Sequence, residues 1–161
     1  MRMPKVTVTL ACAALLACTA EMSLREQGLI QQAVENQLDG WVRALANRDA
    51  DSVAAMYHQV DGLTVVWPDG RVTHGWEEEL AAQQEFFANV EQINFVKQTP
   101  QIEILDADHA VATFRYSLDV VREGNVRDTP LAGSVTMLWV RDPADDLWKI
   151  HLEHLSVNPG G

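Results

Sequence analysis

The C-terminal segment of the sequence contains the histidine best placed for proton transfer. If residues 147–157 form a strand, alternate side chains point to the same side of the sheet. One of the two faces comprises Trp148, Ile150, Leu152, His154 and Ser156. This face is apolar as far as His154, so we expect its imidazole at the edge of the core, where it can act as an acid or a base near neutral pH. The alternative is a structural histidine that hydrogen-bonds a helix residue.

Tyrosines and tryptophans elsewhere in the chain are candidates for a pocket around that histidine. Tyr57 is the second candidate catalytic residue, because its hydroxyl can bind a ligand oxygen beside His154. The candidate ligand-binding residues are Trp67, Trp76, Tyr116 and Ser156. Each of these aromatic residues can instead be ordinary core, with any hydroxyl hydrogen-bonded inside the protein.

The sequence does not predict a metal or cofactor site. His151, Glu153 and His154 are close in sequence, but residues three apart in a strand point to opposite faces, whereas chelating ligands must converge. The sequence has no glycine-rich phosphate loop and no nucleophile elbow. We therefore predict neither a metal nor another cofactor.

The elements that would position these residues begin with a long helix. Ser23 and Glu26 have the spacing of a capping box, which marks a helix start. Apolar residues then recur at steps of three and four, which predicts a helix that ends near Asn47. The apolar stripe comprises Ile30, Val34, Leu38, Trp41 and Leu45.

Two shorter helices are predicted after it. Asp49 can cap a helix over residues 51–57. A third helix begins near Trp76, and the glutamates at 77–79 fill its first turn, where the positive end of the helix dipole favours carboxylates.

The hydrophobic period changes to two from residue 93 onward, which predicts strands. The predicted strands cover residues 93–105, 109–121, 127–141 and 147–157. Pro100 predicts a bend in the first of them, and the sequence from Pro68 to Gly70 predicts the turn of an earlier short hairpin. Short turns between long strands are typical of an antiparallel meander.

Residues 132–141 are apolar on both sides of the predicted strand. Met137 and Trp139 share one face, and Leu138 and Val140 share the other. A strand that is buried on both faces needs a second cover, and a partner subunit is the simplest one. We therefore predict a homodimer through the sheet face that carries Met137 and Trp139.

Length and charge narrow the possible functions. The chain has 161 residues, which fits one domain. It carries 12 lysines and arginines against 23 aspartates and glutamates, a net charge of -11. Binding to nucleic acid or to anionic lipid requires a basic surface, so we predict neither.

The first residues resemble the signal peptide of bacterial lipoproteins. Arg2 and Lys5 precede an uncharged, largely apolar run over residues 6–17, which is too short to span a bilayer. The run ends in Leu15-Leu16-Ala17-Cys18, which is similar to the lipobox. In proteins with a lipobox the peptide is cleaved before the cysteine, which then carries the lipid.

This resemblance implies lipidation of Cys18 and an address in the bacterial cell envelope, with the domain facing the periplasm. The implied divisions are a signal peptide over 1–17, a tether over 18–26, a domain over 27–157 and a tail over 158–161. Thr19 follows the cysteine, and in such lipoproteins an Asp there would favour the inner membrane, so the outer membrane is expected. The alternative is cleavage after Ala20 and secretion to the periplasm.

The rest of the chain resembles the SnoaL-like branch of the nuclear-transport-factor-2-like superfamily over residues 27–157. Its end, from Gly133-Ser134-Val135-Thr136 to Trp148-Lys149-Ile150 and His154-Leu155-Ser156, is similar to the close of that family. The segment RALANRDADSVAAMY, which ends at Tyr57, is similar to its passage from the first helix to the second. The resemblance implies an α+β fold in which a cone-shaped, curved, mixed or antiparallel sheet wraps over three N-terminal helices. It also implies an apolar pocket and, commonly, a dimer.

Two functions follow as expectations. The first is a lipid-anchored domain that binds a small apolar or amphipathic molecule, or a partner protein, in the cone pocket. The alternative is a cofactor-independent acid–base enzyme of isomerase, cyclase or hydrolase type, in which His154 acts with pocket tyrosines. An acid–base pair cannot be assigned from the sequence, so the first is favoured.

Overall fold

The computed structural model describes residues 22–158, which form three helices and eight strands. The helices are α1 (Leu24–Asn47), α2 (Ala50–Ala54) and α3 (Trp76–Phe87). The strands are β1 (Thr64–Val66), β2 (Val72–His74), β3 (Val90–Lys97), β4 (Gln101–Ile104), β5 (His109–Arg122), β6 (Val126–Arg127), β7 (Leu131–Arg141) and β8 (Trp148–Val157). Within these residues, no helix combines the length and the apolar character needed to cross a membrane. The predicted signal peptide and the lipidation of Cys18 lie outside the described residues.

The α1 helix begins at the predicted capping box. The Ser23 hydroxyl accepts a hydrogen bond from the Glu26 backbone N–H at 3.3 Å, and the Glu26 carboxylate accepts one from the Ser23 N–H at 2.8 Å. The helix ends at Asn47, and the next residue, Arg48, caps it in a left-handed conformation with φ of 57°. The buried face of α1 includes Val34, Leu38, Trp41 and Leu45, which confirms the predicted stripe.

The second helix is shorter than predicted. Asp49 caps it by accepting a hydrogen bond from the Ser52 N–H at 3.0 Å, but the helix ends at Ala54. Tyr57 lies beyond a turn and forms an isolated parallel bridge to Ile150 of β8. This bridge fixes the tyrosine backbone against the last strand.

The strands form one mixed sheet in the order β2-β1-β8-β7-β5-β3, which curls around the helices. The β1 strand pairs with β8 in parallel, and the other neighbouring strands pair antiparallel. The predicted strand over 93–105 is divided on either side of Pro100 into β3 and β4, and both pair with β5. The α+β architecture implied by the resemblance is therefore confirmed.

The inner face of β7 is part of the core. Met137 and Trp139 are fully buried and belong to the same hydrophobic cluster as Val34 and Leu38 of α1. The prediction that Met137 and Trp139 form a dimer face is therefore wrong, because the chain covers them itself. Nearer the start of β7, a Cβ atom added to Gly133 would lie 1.7 Å from a backbone oxygen of β8, so this position requires glycine.

A β-bulge in β8 reverses the predicted faces of the last strand. Leu138 pairs with Leu152, but the next residue of β7, Trp139, pairs with Ile150, so His151 is an extra residue in β8. After one inserted residue the alternation is inverted. His154 is consequently exposed on the outer face, and the expectation that its ring lies at the apolar core is wrong.

Candidate functional site

An apolar cavity of about 240 Å³ lies between the helices and the inner face of the sheet. Its walls come from α1, α3, β1, β3, β5, β7 and β8 and from the loops between them. Apolar side chains that line it include Trp41, Ile93, Phe95, Leu118, Val120 and Leu155. Trp41 packs edge-on against Phe95, with ring centroids 5.2 Å apart, a favourable aromatic contact within this wall. A cavity of this size can hold a small organic molecule.

A carboxyl group projects into this apolar cavity. The bulge in β8 turns Glu153 inward, where its side chain lines the cavity and is only 1% exposed. The Tyr57 hydroxyl donates a hydrogen bond to Glu153 Oε2, and Trp41 Nε1 donates to the Tyr57 oxygen at 3.3 Å. Among residues 22–158, Glu153 Oε1 is one of the buried side-chain atoms that have no hydrogen-bond partner. A chain of donors thus fixes one carboxyl oxygen, and the other has no hydrogen-bond partner among the described residues.

Burial decides the charge of this carboxyl. The pKa of Glu153 is raised to about 8, mainly because burial removes the solvation of the charged form. The hydrogen bond from Tyr57 lowers this pKa by a smaller amount, and the charge of Glu79 raises it further. Burial and the nearby Glu153 raise the pKa of Tyr57 well above 10, so the phenol keeps its proton and remains a donor. Glu153 is therefore mostly protonated at pH 7. Since Oε2 accepts from Tyr57, the proton belongs on Oε1.

A second buried carboxyl supports the first from α3. Glu79 is fully buried, and its Oε2 accepts hydrogen bonds from Thr73 Oγ1 at 2.5 Å and from Trp67 Nε1 at 3.2 Å. Its Oε1 accepts from Gln83 Nε2 at 2.6 Å. Burial raises the pKa of Glu79, while these three donors lower it. The network fixes Trp67 and Gln83, which line the cavity.

Basic side chains lie at the open end of the cavity. Arg71 and Arg122 both line it and are partly exposed. Arg122 Nε donates to both oxygens of Asp128, at 3.0 and 2.9 Å, and its Nη1 donates to Asn89 at 2.6 Å. The guanidinium of Arg71 lies 4.5 Å from the ring centroid of Trp67. This end of the cavity is therefore polar, whereas its walls are apolar.

The structure brings together some of the predicted site residues and separates others. Tyr57 and Trp67 line the cavity. Trp76, Tyr116 and Ser156 are not among its lining residues. Trp76 instead donates from Nε1 to the Ala54 carbonyl at 3.0 Å.

Tyr116 and Ser156 make contacts within the protein. Tyr116 stacks on Phe95 at 5.3 Å and donates to the Ser156 carbonyl at 3.3 Å. The Ser156 hydroxyl donates to the Ser134 carbonyl at 3.1 Å. The catalytic pair predicted as His154 with Tyr57 does not form, because the His154 side chain is on the opposite side of the sheet.

Sequence reasoning missed the two buried carboxyls. Strict alternation places Glu153 on the face opposite His154, away from the predicted core. The dipole argument treats Glu79 like its neighbours in the first turn of α3 and does not predict its burial. A signal for Glu79 was present, because Trp76, Glu79, Gln83 and Phe87 follow steps of three and four and so form one helix face. Polar residues on such a face, between aromatic ones, indicate a buried hydrogen-bond network.

Comparison with known proteins places these features in a family. The sequence model of the SnoaL-like domain matches residues 34–159. A search of curated proteins finds no significant match.

Solved structures share the fold. A putative scytalone dehydratase from Novosphingobium aromaticivorans superposes with a TM-score of 0.75 at 13% identity, covering 84% of this chain and 89% of that chain. A type 2 hexachlorocyclohexane dehydrochlorinase superposes with a TM-score of 0.71 at 15% identity, covering 84% of this chain and 90% of that chain. A nuclear transport factor 2-like superfamily protein from Salmonella enterica serovar Typhimurium superposes with a TM-score of 0.71 at 16% identity, covering 84% of this chain and 96% of that chain. At these identities the likeness shows the common fold.

Proposed function

Since the chain belongs to the SnoaL-like domain family, we propose that it is an acid–base enzyme acting on a small, largely apolar molecule in the cavity, with Glu153 as the proton-transfer group. One observation carries the proposal: a buried carboxyl in an apolar cavity has one oxygen fixed by Tyr57 and the other without a partner. Catalytic acids and bases need a pKa near the working pH, and burial brings that of Glu153 to about 8.

The proposed chemistry uses both protonation states of Glu153. In the protonated form, which removal of a substrate proton from carbon also produces, Oε1 gives the proton to a departing oxygen, as in elimination, or to a second carbon, as in isomerisation, and so returns to the carboxylate. In the ionised form, which is about one-tenth of the protein at pH 7 given a pKa of about 8, the same oxygen removes a proton from carbon. Tyr57 holds the carboxyl in place and donates to Oε2 throughout. Isomerisation and elimination are the reactions that such a single carboxyl can serve.

Names among the structural neighbours support elimination as the first reaction class to test. One neighbour is named a putative dehydratase and another a dehydrochlorinase. These names belong to those proteins, at 13% and 15% identity. For this chain they add weight to the carboxyl argument, which stands on its own geometry.

Exchange of a carbon-bound proton with solvent tests the proposal without knowledge of the natural substrate. The probe is 1-phenylpropan-2-one, an apolar ketone with acidic C–H bonds, incubated with the protein in D₂O and followed by ¹H NMR. We expect exchange above the buffer rate, and a fall of about 100-fold or more in Glu153→Gln, because positioned acid–base groups contribute about 10²–10⁴-fold. The matched control is Glu91→Gln, since Glu91 is exposed. Exchange that is absent, or unchanged in Glu153→Gln, would contradict the proposal.

A non-catalytic binding function is the second candidate. The observation that favours it is the predominantly apolar wall around the same cavity, including Ile93, Phe95 and Leu155, because such a wall suits an apolar ligand whether or not it reacts. Native mass spectrometry of protein purified from its own cell envelope would show a retained ligand in that case. The same measurement gives the oligomeric mass; we also propose a homodimer, which the resemblance to the family supports.

We propose in addition that the protein is anchored to the cell envelope through a lipid on Cys18. The support is the resemblance of residues 15–18 to a lipobox behind a basic, then apolar, start. In the test, Cys18→Ser should move the protein out of the membrane fraction. Cys12→Ser is the matched control, because Cys12 lies in the segment that cleavage removes. A membrane fraction unchanged by Cys18→Ser would contradict the lipid anchor.

A further inference from the structure

Arg71 places a cation at the open end of the cavity. The Trp67 backbone N–H donates to the Arg71 carbonyl at 2.8 Å, and the Arg71 N–H donates to Asp69 Oδ1 at 2.9 Å, which together close the turn before β2. The guanidinium lies over the Trp67 ring at 4.5 Å. Trp67 is fixed in turn by its hydrogen bond to Glu79. The charge of Arg71 is thus positioned by the same network that shapes the cavity.

One edge of this guanidinium has no partner among the described residues. Nη1 donates to Glu85 at 3.2 Å, in a pair whose side chains are 37% and 77% exposed, and exposed ion pairs of this kind are weak. Nε is buried without a hydrogen-bond partner. The edge formed by Nε and Nη2 is the one that matches the two oxygens of a carboxylate. Arg122, by contrast, already uses its Nε on Asp128.

Unpartnered polar atoms recur around the same cavity. Within residues 22–158, the buried side-chain atoms without a partner are Arg71 Nε, Gln83 Oε1, Trp139 Nε1 and Glu153 Oε1. Three of these four atoms belong to lining residues. Buried polar atoms are normally paired, so the unpaired ones that line a cavity have hydrogen-bonding capacity free for the polar groups of a ligand. Arg71 Nε is a hydrogen-bond donor, so the ligand group that pairs with it must be an acceptor.

We propose that the molecule bound in the cavity carries a carboxylate that Arg71 holds through Nε–H and Nη2–H, with its apolar body extending inward toward Glu153. This inference rests on the proposed function of the cavity and names the class of its substrate. Asp69 and Asp128 also line the cavity, but Asp128 is paired with Arg122 and Asp69 accepts the Arg71 N–H. In a chain with a net charge of -11, selection of an anion must come from such a local contact.

A pair of probes that differ in charge alone tests this. The probes are 3-phenylpropionate and the uncharged 3-phenylpropanamide, with dissociation constants measured by isothermal titration calorimetry at pH 7. We expect the carboxylate to bind at least tenfold more tightly than the amide. In Arg71→Gln the preference should fall to less than twofold, with the amide constant unchanged. Arg115→Gln is the matched control, because Arg115 is exposed on the outer face of β5 and should leave the preference intact.

A second variant guards against misfolding. Arg71→Lys keeps the charge but loses the planar fork, so the carboxylate should bind about fivefold or more weakly than in the parent protein while the amide is unaffected. Equal binding of the two probes by the parent protein, no binding of either, or a preference that survives both Arg71 variants would overturn the proposal.

Glu153→Gln separates this inference from the proposed function. If Glu153→Gln binds 3-phenylpropionate as the parent does and loses proton exchange, the acid–base function and the Arg71 contact are both supported. If this variant binds 3-phenylpropionate as the parent does but retains proton exchange, the acid–base function of Glu153 is contradicted and the Arg71 contact is still supported.

Discussion

The pH dependence of stability gives a quantitative test of the buried Glu153 carboxyl. The perturbation is Glu153→Gln, which replaces the protonated acid by a neutral group of similar shape that still accepts from Tyr57. The folded protein holds the Glu153 proton up to about pH 8, whereas an unfolded glutamate releases it near the ordinary value of 4.5. Between these values the folded state binds more protons than the unfolded state. The free energy of unfolding of the parent therefore falls as pH rises through this range.

The expected size follows from the two pKa values. A rise from 4.5 to about 8, at about 1.4 kcal/mol per pH unit, corresponds to about 5 kcal/mol. Full burial of Glu153 means that little of this is screened by solvent. The glutamine variant lacks the effect, so its stability relative to the parent should increase by about 5 kcal/mol from pH 4 to pH 9. Any constant cost of placing an amide in the cavity shifts both ends equally and does not alter this difference.

The assay is urea unfolding of both proteins at one-unit steps from pH 4 to pH 9. Comparison of parent with variant cancels the other titrating groups, except for the part of the Glu79 titration that is coupled to Glu153. Glu91→Gln, at an exposed position, should track the parent at every pH. A difference between parent and Glu153→Gln that stays constant across the range would refute the buried, proton-holding carboxyl.

Three further predictions address the surroundings of the site. Gly133→Ala should destabilise the protein by about 4 kcal/mol or more, because the added Cβ would lie 1.7 Å from a backbone oxygen. Gly28→Ala, at an open position in a helix, is the control and should stabilise the protein by about 1 kcal/mol. Both changes are measured from the midpoints of urea unfolding. Tyr57→Phe should raise the pKa of Glu153 further, since their hydrogen bond lowers it, and the midpoint of the pH profile of proton exchange should move upward. His154→Ala should leave probe binding unchanged by calorimetry, since His154 is exposed on the outer face; a lost or weakened signal would contradict that placement.

Local sequence signals predicted most of the architecture. The capping box of Ser23 and Glu26 and the stripe through Leu38 are short-range patterns, and the structure has both. Pro100 interrupts its strand because proline cannot donate to the ladder, and β3 and β4 lie on either side of it. Such features depend on neighbours in the chain and so can be read from it.

The site could not be predicted in the same way, because its decisive feature is one extra residue in a strand. His151 forms a bulge that leaves no mark in hydrophobic periodicity, since Leu152 and Leu155 are apolar on either assignment. The bulge exchanges the directions of His154 and Glu153. Strict alternation therefore predicts that the His154 imidazole faces the core, whereas it is the carboxyl of Glu153 that enters the cavity.

Direct titration of the Glu153 carboxyl tests the central claim. In protein labelled with ¹³C at the glutamate carboxyls, the resonance that disappears in Glu153→Gln belongs to this residue. Its chemical shift should titrate with a midpoint near 8, as expected for an acid held in an apolar cavity. A midpoint near 4.5 would show an ordinary solvated carboxylate and would contradict the acid–base role proposed for it.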